Sequence, residues 1–239
     1  MMNIPSLIQP HWNKPVYEFR NQAGKTIKID VTTSVSSGLP ANHVLTDKVI
    51  PFLKKHNVDK VLDFGAGSLR HSIPLVKAGF TVGAVDFKDN YSRPNCKDAL
   101  ASLCKNERFC LMEWPHIYCG NPDIFKGKFD AALLVYVLQT MPKPNERLDA
   151  LRYISLKLKK HDTYLFYCSR YNQLSKNHAK YRVSDGYYMY PTREYHSFYR
   201  EFSTPETHNF MANYKFERIR SFSERGTDQM FMYFRWSFP

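Results

Sequence analysis

Between Lys60 and Ser169 short apolar runs alternate with longer stretches in which apolar residues return every third or fourth position. The runs Lys60–Phe64, Thr81–Asp86, Arg108–Met112, Phe129–Tyr136 and Thr163–Ser169 have the length of buried strands. The stretches Ser68–Ala78, Cys96–Cys104 and Asn145–Leu158 carry the helical period, as does Asn42–His56 with Val44, Val49, Phe52 and Leu53 on one face. Strict β–α alternation predicts a mostly parallel sheet with right-handed crossovers. Both flanks differ. Val16–Phe19 and Thr26–Val31 alternate apolar and polar around Asn-Gln-Ala-Gly and predict a hairpin, set apart by the Ser/Gly/Pro stretch Ser34–Pro40. Tyr171–Tyr199 is dense in Tyr, Arg and His, and a helix is expected near Thr204–Ala212. Phe216–Phe222 and Met230–Trp236 then read as strands, joined by a turn at Glu224–Asp228 short enough for an antiparallel pair.

The pattern therefore predicts an α/β fold: a doubly wound, mostly parallel seven-stranded sheet ending in an antiparallel hairpin. A small N-terminal hairpin extension occupies 1–40, and the main domain occupies 41–239 with an aromatic cap inserted at about 171–203. The length of 239 residues suits one such domain, and 43% apolar residues suffice for its core.

The apolar run Ala131–Leu138 is far short of the ~20 residues that cross a bilayer. Met1–Trp12 lacks the basic start and apolar stretch of a signal peptide. No membrane association and a cytoplasmic location are the expectation. Cys96, Cys104, Cys110, Cys119 and Cys168 form no closely spaced pair, and their odd number predicts free thiols and no metal site. The net charge of +12 invites a nucleic-acid partner, yet it is spread evenly: residues 1–60, 61–169 and 170–239 each net +4.

The chemistry concentrates in Val58–Ser72. An apolar strand ends in Asp63, Gly65 and Gly67 follow at once, and a helical pattern begins. The next strand closes on Asp86, about twenty residues after the turn, where an acid can grip a ribose diol. Together these residues resemble the class I S-adenosylmethionine-dependent methyltransferases, over about Asn42–Ser169 with a compatible ending to Trp236. Their Gly-x-Gly-x-Gly-Arg-x-Ser pattern after an Asp-ended strand is matched by Asp63, Gly65, Gly67, Arg70 and Ser72, with Leu69 at the third glycine.

The resemblance implies S-adenosyl-L-methionine as cofactor, held by Asp63, Gly65, Ala66, Gly67, Arg70, Asp86, Phe87, Glu113 and Trp114. Gly65 and Gly67 let the backbone approach the methionyl part, and amides at the helix start, helped by Arg70, suit its carboxylate. Asp63 would fix the turn or accept from the ammonium, and Asp86 would accept from the ribose hydroxyls. Glu113 would accept from the adenine amino group, beside Trp114. The strand end at Tyr136 would face the transferable methyl, and it lacks the Asn/Asp-Pro-Pro-aromatic motif of base-modifying members; Asn121-Pro122-Asp123 lies in a loop before that strand.

A sulfonium methyl is already activated, so alignment supplies most of the acceleration, and a base is needed only if the acceptor loses its proton early. Tyr136, His11, His178 and His196 are the candidates. Charge and the Tyr/Arg-rich cap incline the acceptor toward RNA or DNA, with a small-molecule acceptor as the alternative. Leu69 and the apolar end at Leu134-Val135 also admit a non-catalytic binding subunit, and a nicotinamide-dependent reductase ranks lower for want of the full glycine fingerprint. Sequence leaves the oligomeric state open.

Overall fold

The computed structural model describes residues 16–34, 41–91, 96–113, 116–170, 180–189, 194–223 and 228–235. In chain order its strands are β1 (Val16–Arg20), β2 (Thr26–Asp30), β3 (Lys60–Phe64), β4 (Thr81–Val85), β5 (Phe109–Glu113), β6 (His116–Gly120), β7 (Ala131–Val135), β8 (Thr163–Arg170), β9 (Arg182–Val183), β10 (Gly186–Met189), β11 (Ser197–Tyr199), β12 (Glu217–Ser223) and β13 (Asp228–Arg235). The α-helices are α1 (Ile50–Lys55), α2 (Ser72–Lys77), α3 (Lys88–Tyr91), α4 (Lys97–Cys104), α5 (Pro144–Lys157) and α6 (Thr204–Ala212).

The main sheet runs β12-β13-β8-β7-β3-β4-β5-β6. Strands β8, β7, β3, β4 and β5 are parallel, and β13 and β12 return antiparallel on one edge. Both faces are apolar because successive residues of each inner strand go to opposite layers. Val61, Ala131 and Leu133 meet Leu53, Leu75 and Leu103 on one side. Leu62, Ala132 and Leu134 meet Ala150, Leu151 and Ile154 on the other. That two-sided burial is why the strands read as continuous apolar runs.

Four expectations need correction. The sheet has eight strands instead of seven, because His116–Gly120 turns back to pair antiparallel with β5. The sequence His-Ile-Tyr-Cys-Gly is largely exposed and shows no alternation, so only its partner makes it a strand. The same return brings Cys119 to Cys104 at the end of α4, with Cα atoms 5.4 Å apart, and the two form a disulfide. Cys96, Cys110 and Cys168 are buried and form no disulfide among the described residues, and burial pushes the Cys110 thiol up to about 11. The helix expected over Asn42–His56 splits into a π-turn at Leu45–Val49 and α1, since Pro51 has no amide hydrogen to continue the ladder. The helix expected from Ser68 starts four residues later, at Ser72, because the preceding turn takes left-handed backbone three times.

The aromatic segment 171–203 contributes a second, three-stranded sheet, β11-β10-β9; 171–179 and 190–193 lie outside the described residues. This sheet and the β1–β2 hairpin share a small core of Tyr17, Ile27, Ile29, Val183, Tyr188 and Phe198. Backbone bonds close the seam, Asp30 N to His196 O and His196 N to Lys28 O, both 2.9 Å.

Ionic contacts tie these pieces to the main domain. Arg147 on α5, almost fully buried, pairs with Asp185 of the β9–β10 turn and donates to Met141 O at 2.6 Å. Arg200 reaches the same Asp185 (3.2 Å) and Glu206 on α6 (2.6 Å). Tyr17 donates to the buried Glu146 carboxylate at 2.9 Å.

Candidate functional site

The chain leaves β3 for β4 and β5 on one side, and returns to β7 and β8 on the other. A doubly wound sheet opens a crevice where its winding reverses, at the carboxyl ends of the strands. A cavity of about 630 Å³ lies there. Its floor is the Phe64–Ser68 turn and the strand ends at Asp86, Glu113 and Tyr136; the hairpin adds Tyr17, Val31 and Thr33, and the cap adds Met189, Ser197, Phe198 and Tyr199.

The turn is built by positive φ angles at Gly65 (+75°), Gly67 (+56°) and Leu69 (+62°). A Cβ on Gly65 would stand 2.3 Å from Val137 Cγ2, so both backbone angle and space demand glycine there. Leu69, where the resembling families carry glycine, accepts the same left-handed conformation and buries its side chain completely. The amides of Gly65 and Ala66 both donate to Val85 O, at 2.9 and 3.2 Å. Gly67 N donates to Asp86 Oδ2, and Asp86 Oδ1 accepts from Phe87 N at 2.6 Å and from the Asn90 side-chain amide. Asp86 thus joins the end of β4 to the glycine turn while remaining on the cavity wall.

Asp63 does not line the cavity. It is buried, with Oδ2 accepting from Ser72 Oγ at 2.6 Å, and it anchors the start of α2 to β3. Burial pushes its carboxyl up to about 6, against the Ser72 hydrogen bond. Glu113 does line the cavity, and the buried Tyr91 lies close enough for burial and the Glu113 carboxylate together to keep that phenol protonated. Phe87 is half-buried beside Asp86 and shares the wall. Trp114 lies outside the described residues.

Tyr136 ends β7 with φ +61°. Its amide donates to Cys168 O at 2.8 Å, and its hydroxyl accepts from Asn42 Nδ2 at 2.9 Å. Two guanidiniums flank its ring, Arg70 at 5.5 Å and Arg170 at 5.3 Å. Burial lowers the Arg70 pKa first, the nearby Tyr136 opposes that shift, and Arg170 adds to it. Arg170 is held through its backbone: its N donates to Gln139 Oε1 at 2.8 Å, and its carbonyl accepts from Tyr199 OH at 3.1 Å.

Of the histidines expected as possible bases, His11 and His178 lie outside the described residues, and His196 is buried in the hairpin–cap seam, off the cavity wall. Two histidines line the cavity, His71 and His116, neither singled out from the sequence although His71 follows Arg70 directly. Burial, then Arg70, pushes the His71 ring down to about 3, so it is neutral, and among the described residues its Nε2 has no hydrogen-bond partner. Gln139 and Tyr17 were also missed because distant elements bring them in, and so was Asn90, which reaches Asp86 from four residues further along the chain.

No protein-family model and no curated protein matches the sequence. Solved structures do. Magnesium protoporphyrin IX methyltransferase from Synechocystis PCC 6803, with bound SAH, superposes with TM-score 0.54 at 17% identity over 81% of this chain and 83% of that one. The 1,6-didemethyltoxoflavin-N1-methyltransferase of Burkholderia thailandensis gives 0.55 at 19% identity over 81% of each chain. The CcbJ methyltransferase of Streptomyces caelestis gives 0.59 at 11% identity over 85% of this chain and 99% of its own. At such identities the likeness establishes the fold: this chain folds as the class I S-adenosylmethionine-dependent methyltransferases do.

Proposed function

We propose that the protein is an S-adenosylmethionine-dependent methyltransferase acting on a small molecule. The observation that carries the proposal is one continuous cavity in which the Gly65–Gly67 turn, Asp86 and Glu113 stand at successive strand ends under a roof of hairpin and cap. About 630 Å³ lies within the range of cavities that enclose a small ligand. The residues fit the cofactor: glycine backbone where a Cβ would collide, a carboxylate at each of the next two strand ends, and a guanidinium at the start of α2.

When bound, the cofactor supplies an electrophilic methyl group on a sulfonium. Gly65, Ala66 and Gly67 would shape the methionyl end, and Arg70 would meet its carboxylate. Asp86 would accept from the ribose hydroxyls while keeping the Gly67 amide in place. Phe87 and Glu113 would border the adenine. Asp63 acts through Ser72 on the position of α2, as a positioning residue. Tyr136 would stand at the junction with the acceptor, its hydroxyl oriented by Asn42. The hairpin and cap then keep water out and hold the acceptor in line.

The roofed cavity favours a small acceptor over the nucleic acid that charge suggested, and two of the structural neighbours are named as methyltransferases of magnesium protoporphyrin IX and of 1,6-didemethyltoxoflavin. Isothermal titration with S-adenosylhomocysteine tests the donor half. The expected result is binding in the wild type and a loss of about tenfold or more in Asp86→Ala. No binding by the wild type, or equal binding by the variant, refutes the assignment.

A further inference from the structure

The acceptor side of the cavity has a charge pattern of its own. Tyr17, Met141, Met189, Phe198 and Tyr199 give it apolar and aromatic wall, with the neutral polar side chains of Thr33, Gln139 and Ser197 among them. The acids on the cavity wall, Asp86 and Glu113, both stand at the β4 and β5 ends, on the side assigned to the methyl donor. Arg170 stands 5.3 Å from the Tyr136 ring centroid, its backbone bonded to Gln139 and to the cap residue Tyr199.

Arg70 and Arg170 flank one ring, and among the described residues neither forms an ion pair with a carboxylate, although Asp63 lies near enough to Arg70 to attract it. Arg147 and Arg200 share Asp185 and Arg200 also takes Glu206, while the buried Arg235 donates to the carbonyls of Ser155, Lys159 and Tyr214. Two half-buried guanidiniums beside one another are unfavourable without an anion between or beside them. The donor carries a single carboxylate, which one cation satisfies. Among the described residues the second cation has no counter-ion. Its backbone is pinned from both sides, so its side chain enters the cavity from a fixed origin.

We infer that the acceptor is a small planar molecule bearing an oxyanion, carboxylate or phosphate, which Arg170 binds at the Tyr136 end while the aromatic walls hold its body. A guanidinium presents paired donors that match either group, and stacking on Tyr17, Phe198 or Tyr199 suits a planar body. The inference rests on the methyltransferase reading and specifies its substrate. Arg170 is thereby a specificity-determining residue.

Binding to the full-length protein saturated with S-adenosylhomocysteine tests it. The probes are salicylate and 4-hydroxybenzoate against salicylamide and 4-hydroxybenzamide, phenyl phosphate against phenol, and a ten-nucleotide single-stranded DNA. The acids are expected to bind about tenfold or more tightly than their neutral partners, the carboxylate and phosphate arms telling which oxyanion is preferred. Arg170→Gln is expected to abolish that discrimination while its affinity for S-adenosylhomocysteine stays within threefold of wild type, and Arg170→Lys to restore part of it. Equal binding of acids and neutral partners, no binding by any of them, or discrimination that survives Arg170→Gln overturns the inference. So does oligonucleotide binding tighter than every acid, which would point to a nucleic-acid acceptor. Absence of S-adenosylhomocysteine binding in the wild type is a separate failure and removes the methyltransferase reading itself.

Discussion

Replacing Gly65 by alanine probes the turn on which the proposed donor site depends. At φ +75° an L-residue costs about 1–2 kcal/mol more than glycine. The new Cβ would also stand 2.3 Å from Val137 Cγ2 and 3.1 Å from Cγ1, so side chain or backbone must move. Overpacking of that kind costs about 1–3 kcal/mol. The sum is about 2–5 kcal/mol, read as a lower urea midpoint at unchanged slope. For a domain of this size each kcal/mol lowers Tm by about 2–4 °C. The two contributions separate in a double-mutant cycle. Val137→Ala removes the colliding methyls and leaves the φ cost, so Gly65→Ala with Val137→Ala should be less destabilised than the sum of the singles by about 1–3 kcal/mol. S-adenosylhomocysteine affinity should fall in Gly65→Ala and recover in part in the double variant. A coupling below about 0.5 kcal/mol, or Gly65→Ala within about 0.5 kcal/mol of wild type, refutes the steric account.

Leu69→Gly would relieve left-handed strain of about 1–2 kcal/mol, yet it empties a completely buried leucine site worth about 2–5, so equilibrium unfolding should show net destabilisation; a more stable variant contradicts the packing. Asp63 and His71 should give stability opposite slopes with pH. Asp63 rises on folding from an ordinary value near 3.9 to about 6, so the folded state holds the extra proton and stability is lost as pH climbs through that window. His71 falls from about 6.5 to about 3, so the unfolded state takes the proton and stability is lost as pH falls from 6.5. The two offset each other between about pH 4 and 6. His71→Phe should leave stability rising on acidification there, and Asp63→Asn should leave it falling, each by about 1.4 kcal/mol per pH unit; unaltered urea profiles in both variants would discard the assignment. Tyr17→Phe deletes the donor to buried Glu146 and should cost about 1.5–3 kcal/mol, with faster amide exchange in Val16–Asp30; normal exchange and Tm would show that this bond does not secure the hairpin.

Local pattern carried the central domain far. The inner strands were legible because both of their faces are buried, and Gly65, Gly67 and Asp86 because a tight turn and a strand-closing acid are set by residues close in sequence. The edge strand His116–Gly120 was not legible, since its residues are mostly exposed and its order comes from β5. The Cys104–Cys119 bond was hidden for the same reason, as only that return brings the thiols together.

The acceptor side is the sharpest case. The sequence alone determined that a glycine turn and an acid-closed strand stand side by side at one end of a parallel sheet, because each is a short-range pattern of size and polarity. Tertiary structure alone decided that Arg70 and Arg170, a hundred residues apart, flank Tyr136 under a roof of hairpin and cap. It also decided that Asp63 turns inward to Ser72 while Asp86 stays on the cavity wall. Two carboxylates at neighbouring strand ends look alike along the chain. Which one meets water and which one meets a buried hydroxyl depends on the faces that the sheet buries.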